Sequence, residues 1–125
     1  MSINKRRLVA ATGILLAAGT LTAAQAGAPT AGGWAIINSD GTLGANLNVT
    51  KVQHPKPGVY RITFNNDVAH CAANATIAAA GGNTIVPGYI VAGRTALVPN
   101  QIRVHTWETV TLIPTDYKFD LLVTC

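Results

Sequence analysis

From Trp34 onward the chain runs in short stretches of alternating apolar and polar side chains, broken by clusters of turn formers. Successive residues of a strand project to opposite faces, so such stretches predict strands with one buried side. The clearest is Val59-Tyr60-Arg61-Ile62-Thr63-Phe64, which sends Tyr60, Ile62 and Phe64 to the core. Gln101 to Trp107 places Ile102, Val104 and Thr106 inward and lines up Arg103, His105 and Trp107 on the opposite face. A strand expected over Lys118 to Cys125 puts Phe119, Leu121 and Val123 on the core side. Further strands are expected at Trp34 to Ile37, Ala45 to Val52, Cys71 to Ala79, Ile85 to Ala92 and Thr109 to Ile113. The inward face of Ala45 to Val52 is ambiguous, because Lys51 shares the parity of Leu47 and Val49. The alanine-rich stretch after Cys71 has helix propensity, but the strand rhythm around it favours a strand.

The breaks between these stretches carry turn chemistry. Asn38-Ser39-Asp40-Gly41 favours the positive φ of a tight hairpin, and Pro55-Lys56-Pro57-Gly58 is the sharpest interruption in the chain. Asn65-Asn66-Asp67, Gly81-Gly82-Asn83, Val98-Pro99-Asn100 and Pro114-Thr115-Asp116 supply the others. About seven or eight short, mainly antiparallel strands at roughly 8–12-residue spacing predict an all-β domain, a single β-sandwich or partly open barrel.

The N-terminal part follows a different pattern. Lys5, Arg6 and Arg7 precede an uncharged apolar run from Leu8 to Leu21, and Ala24-Gln25-Ala26 has the small-x-small form of a signal-peptidase site. The run is interrupted by Thr12, Gly13, Gly19 and Thr20 and falls short of the ~20 strongly apolar residues of a membrane span. The expected organisation is a signal peptide at 1–26, a flexible lead-in at 27–33 and an all-β domain at 34–125, with the mature protein secreted or periplasmic. Arg6-Arg7 brings the twin-arginine route into view, but Leu8-Val9-Ala10 lacks the bulky aromatic of that signal, so the general secretory route is the default. Cleavage also changes the charge. The formal +4 of the full chain includes the three leader cations, and what remains is nearly balanced. A nucleic-acid partner is therefore not expected, and neither is membrane attachment once the leader is gone.

Two cysteines in an exported chain predict one disulfide. Cys71 shares parity with Ala73, Ala75 and Ile77, and Cys125 with Phe119, Leu121 and Val123, so both thiols are expected to point inward. No C-x-x-C spacing suggests a redox or metal role.

The stretches Gly58 to Phe64, Asp67-Val68 with Cys71-Ala72, Ala75-Thr76-Ile77, Pro99-Asn100 with Ile102-Arg103-Val104, and Phe119 to Cys125 resemble a module of small exported bacterial β-sandwich proteins of unassigned function. Nearly all of the expected mature chain takes part. The resemblance implies the sandwich fold and the cysteine pair, and it implies no catalytic residue.

No catalytic constellation stands out. Ser39 is the one serine beyond the leader and sits in a turn without nucleophile-elbow glycines. The carboxylates are scattered, and the spacing of His54, His70 and His105 does not call for a metal. The expectation is a non-enzymatic exported binding or structural module without cofactor or metal, its partner unknown. Arg103, His105 and Trp107 are the candidate binding residues, since Arg and aromatic side chains dominate binding hot spots. The alternative is a secreted inhibitor of an extracellular hydrolase that presents Gln53 to Gly58 to its target.

Overall fold

The computed structural model describes residues 31–78 and 87–125. The expected leader, most of the lead-in and the Gly81-Gly82-Asn83 turn lie outside the described residues. The chain forms eight strands, β1 (Ala31–Ile37), β2 (Leu43–Leu47), β3 (Val49–Lys56), β4 (Val59–Phe64), β5 (Ala72–Ile77), β6 (Gly88–Arg94), β7 (Gln101–Glu108) and β8 (Phe119–Thr124). They make two four-stranded sheets, β2-β1-β8-β5 and β3-β4-β7-β6, in which every pairing is antiparallel. The fold is the expected all-β sandwich, and no helix long and apolar enough to cross a membrane occurs among the described residues.

The core lies between the sheets and is built by strand parity. Ile37, Phe119 and Val123 of the first sheet meet Tyr60, Ile62, Phe64, Ile102 and Val104 of the second, all fully buried. Val68, from the connection between β4 and β5, closes one end. Thr106 is the one buried polar residue of this core, and its hydroxyl donates to the Thr115 carbonyl. That bond offsets the cost of burying it.

Four local expectations are corrected. First, the strand expected from Trp34 begins at Ala31, so Gly32 and Gly33 belong to β1. A Cβ at Gly33 would stand 2.6 Å from the Leu47 carbonyl oxygen and 2.7 Å from the Phe64 ring, so glycine here permits close packing and is not a mark of looseness. Second, Ala45 to Val52 is two strands in two different sheets. The chain passes between them at Asn48, whose φ of 66° turns the backbone while its Nδ2 donates to the Gly32 carbonyl. The ambiguous face of that segment follows from this switch: Val49 and Val52 both pack on the core, across a register shift that leaves Lys51 exposed.

Third, Thr109 to Ile113 is a turn. The Glu108 carboxylate accepts hydrogen bonds from the Val110 and Thr111 amides and the Thr111 hydroxyl, which folds the chain back before a strand can extend. Fourth, β3 continues through Pro55 to Lys56, and the interruption narrows to a hairpin at Pro57-Gly58 with Gly58 at φ 71°. Pro55 falls where the β3–β4 register shifts, a place that needs no donor from it.

Cys71 and Cys125 form the expected disulfide, with Cα atoms 4.2 Å apart. Ala72 pairs with Thr124, so the disulfide extends the β5–β8 ladder by one rung. Cys71 is buried as expected. Cys125 is exposed despite its inward parity, because it lies one residue past the end of β8.

Candidate functional site

The sheet β3-β4-β7-β6 turns one face to the core and the other to solvent. Register assigns the outer face in rows. Gln53 pairs with Arg61, Arg61 with Arg103, and Arg103 with Gly93. In the next row Lys56 pairs with Val59, Val59 with His105, and His105 with Val91. Beyond it Trp107 pairs with Tyr89, and on the other side Lys51 pairs with Thr63. Arg103, His105 and Trp107 therefore stand where the alternation of β7 places them, opposite the buried Ile102, Val104 and Thr106.

Two adjacent depressions mark this face, and His105 lines both. One, of about 370 Å³, has Val59 at its floor, His105, Trp107, Pro57 and Pro114 around it, and Lys56 at its rim. Val59 points outward by parity yet is only 6% exposed, which shows how closely these side chains cover it. Trp107 is half-buried, with its ring 5.6 Å from that of His105 and its backbone bridged to Pro114. The indole thus packs along the outer face and walls the depression. The other depression, of about 400 Å³, is lined by Val91, Gly93, Arg94, Arg103 and His105 among others. Gly93 leaves open space beside Arg103, for a Cβ there would meet nothing within 4 Å.

Charge on this face is one-sided. Lys51, Lys56, Arg61 and Arg103 occupy its outward or edge positions, whereas the only carboxylate in its four strands, Glu108, has the inward parity of Thr106 and is engaged in its own turn. Arg61 and Arg103 are direct cross-strand neighbours, an arrangement that destabilises a sheet by roughly 0.2–1 kcal/mol when nothing offsets it. The Arg61 Nε is buried with no hydrogen-bond partner. Burial first, and then the positive charges of Arg103 and Lys56, hold His105 below the ordinary imidazole value, so it stands neutral at pH 7.

The other two histidines do not join it. His54 lies in β3, stacked on Tyr60 with ring centroids 4.5 Å apart, and its Nε2 is 2.9 Å from Asp116 Oδ1. The same oxygen accepts the Gly58 amide at 2.7 Å, and the Tyr60 hydroxyl donates to the Ser39 carbonyl. Burial acts to raise the Asp116 pKa, but the hydrogen bonds from Gly58 and His54 outweigh it and hold the carboxyl below its ordinary value. This cluster clamps the β1–β2 turn, the β3–β4 hairpin and the lead into β8. His70 is exposed in a turn. No group of three potential metal ligands forms among the described residues.

The opposite outer face is different in kind. Leu47, Trp34, Leu122 and Asn74 form one row across β2-β1-β8-β5, and Asp120 is the charged residue of the next. Sequence reasoning reached Arg103, His105 and Trp107 but missed Arg61, Tyr89, Lys56 and the Val59 floor. Each is brought there by strand order, which parity along one strand does not encode. The hairpin signal at Pro99-Asn100 could have supplied Tyr89, since pairing the segments on either side sets it opposite Trp107. No protein-family model, curated protein or solved structure matches the chain.

Proposed function

We propose that the protein is a non-enzymatic exported binding module whose contact surface is the outer face of β3-β4-β7-β6, centred on Arg103, His105 and Trp107. The observation that carries this reading is the pair of depressions sharing His105 on a face whose cations have no carboxylate beside them. The one close contact between a basic and an acidic side chain among the described residues, His54–Asp116, lies elsewhere. A sheet stabilised for its own sake gains nothing from Arg61 opposite Arg103, whereas a surface that meets a partner does. The alternative role as a hydrolase inhibitor draws no support from Gln53 to Gly58. That segment is the end of β3 and a tight hairpin held by Asp116, with no projecting loop to insert into a target.

Export enters this reading through the N-terminal charge and apolar pattern, and a disulfide accords with an oxidising compartment. Two measurements test the proposal. Intact mass of the protein recovered from its producing cells should show a chain starting at Gly27 with no free thiol; a retained leader or two alkylatable cysteines would overturn the export reading. Purified wild type, Trp107→Ala and Trp34→Ala are then compared for capture of cell-envelope polymers and proteins. Loss of binding per folded molecule in Trp107→Ala alone supports the assigned face. Loss confined to Trp34→Ala would move the site to the opposite sheet.

A further inference from the structure

Resting on that reading, we infer that the ligand of this face is an acidic polysaccharide, one carrying carboxylate or sulfate groups along a chain of sugar rings. Two features of the face combine to this end. Trp107 and Tyr89 are direct cross-strand neighbours on the outer side, with His105 beside the indole, and Tyr89 is 54% exposed. Aromatic side chains at paired positions on one face of a sheet offer apolar surface with polar edges, suited to the C–H faces of successive pyranose rings. Two rows along β7 from Trp107, beyond His105, Arg103 and Arg61 lie together, with Lys51 and Lys56 flanking them on β3. Guanidinium groups bind carboxylate and sulfate oxygens through paired N–H donors, and the absence of an outward carboxylate in these four strands leaves that capacity unspent.

The spacing suits a chain and not a single ion. Arg103 and Trp107 are four residues apart on one strand, about 13 Å at ordinary strand rise, with His105 between them at the junction of the two depressions. A lone phosphate would use the arginines and leave the aromatic platform idle. A neutral glycan would use the platform and leave Arg61 facing Arg103 without relief. A linear acidic glycan uses both, with rings seated against Trp107 and Tyr89 and acidic groups reaching the arginines. An anionic membrane is less well matched, because Trp107 and Tyr89 occupy positions within strands of a sheet and not at a protruding loop tip.

The test is affinity electrophoresis and calorimetry of the mature domain with three probes: polygalacturonate, dextran and vesicles of phosphatidylglycerol. Wild type should bind polygalacturonate, with affinity that falls as salt rises, and should ignore dextran. Arg103→Glu and Trp107→Ala should each weaken polygalacturonate binding per folded molecule by about tenfold or more, with circular dichroism close to wild type in both and a lowered melting point only in Trp107→Ala, which uncovers Val59. Trp34→Ala should bind as wild type does. Equal binding to dextran, lost in Trp107→Ala but not in Arg103→Glu, would keep the face as the site and overturn the acidic ligand. Binding to vesicles without binding to polygalacturonate would assign the face to a membrane surface and overturn the glycan. Polygalacturonate binding untouched by both substitutions would overturn the inference together with the assignment of the face.

Discussion

Breaking the Cys71–Cys125 link should remove a large share of the domain's stability. The disulfide spans a sequence separation of 54. Closing such a loop lowers the entropy of the unfolded chain by roughly 14 cal/mol/K, or about 4 kcal/mol at 25 °C. A domain of this size holds about 5–15 kcal/mol in all, so the link decides whether it is comfortably or marginally folded. The local packing explains why it is needed. The strand it anchors, β5, is an edge strand whose inward residues are Ala73, Ala75 and Ile77, and two methyl groups and one larger side chain bury little apolar area. The assay is urea unfolding of the oxidised protein, the reduced protein and the Cys71→Ala/Cys125→Ala variant. Reduction leaves every other side chain in place and should lower the unfolding free energy by about 3–4 kcal/mol, with a melting point lower by roughly 15–30 °C. The slope against urea should rise as the unlinked chain exposes more surface. A loss below about 1 kcal/mol would refute the reasoning, since β5 would then be held by contacts the structure does not contain.

Two other consequences concern the sheet switch and the outer face. Asn48→Ala should cost about 2–3 kcal/mol, from an unfavourable left-handed backbone and the lost bond to Gly32, while Asn48→Gly should cost less because it relieves the backbone part. Urea midpoints of the two variants check the order, and an alanine variant as stable as wild type would contradict it. His105 is held below its ordinary pKa in the folded protein, so the unfolded chain takes up its proton first as pH falls. Its contribution to stability is thus intact above about pH 6.5 and is lost as pH drops through the folded value, a dependence that His105→Gln should remove from unfolding curves.

Much of the architecture was legible because strands with one buried face write their parity into the sequence. Tyr60, Ile62, Phe64, Ile102, Val104, Phe119, Leu121 and Val123 all fall on the side that alternation assigns them. What escaped was set by contacts distant in sequence. Gly32 and Gly33 read as loose chain because nothing local announces that Val123, Cys125 and Phe64 press against them. Asn48 divides an apparent single strand because its backbone turns where the local pattern allows extension. Glu108 bends Thr109 to Ile113 through side-chain bonds that compete with strand formation, although every residue of that segment, Thr109, Val110, Thr111, Leu112 and Ile113, reads as apolar or β-branched. For the site, parity placed three residues of one strand, and the pairing of four strands placed the rest.

The assignment of the binding face can be read from the two indole signals of the protein. Its two tryptophans stand on opposite outer faces, Trp34 on β1 and Trp107 on β7, so each reports on one sheet. In a proton–nitrogen correlation spectrum of the labelled protein, added polygalacturonate should shift the Trp107 indole, the Arg103 side-chain Nε–H and the backbone of β7, and leave the Trp34 indole in place. A shift confined to Trp34, with Trp107 unmoved, would contradict the account.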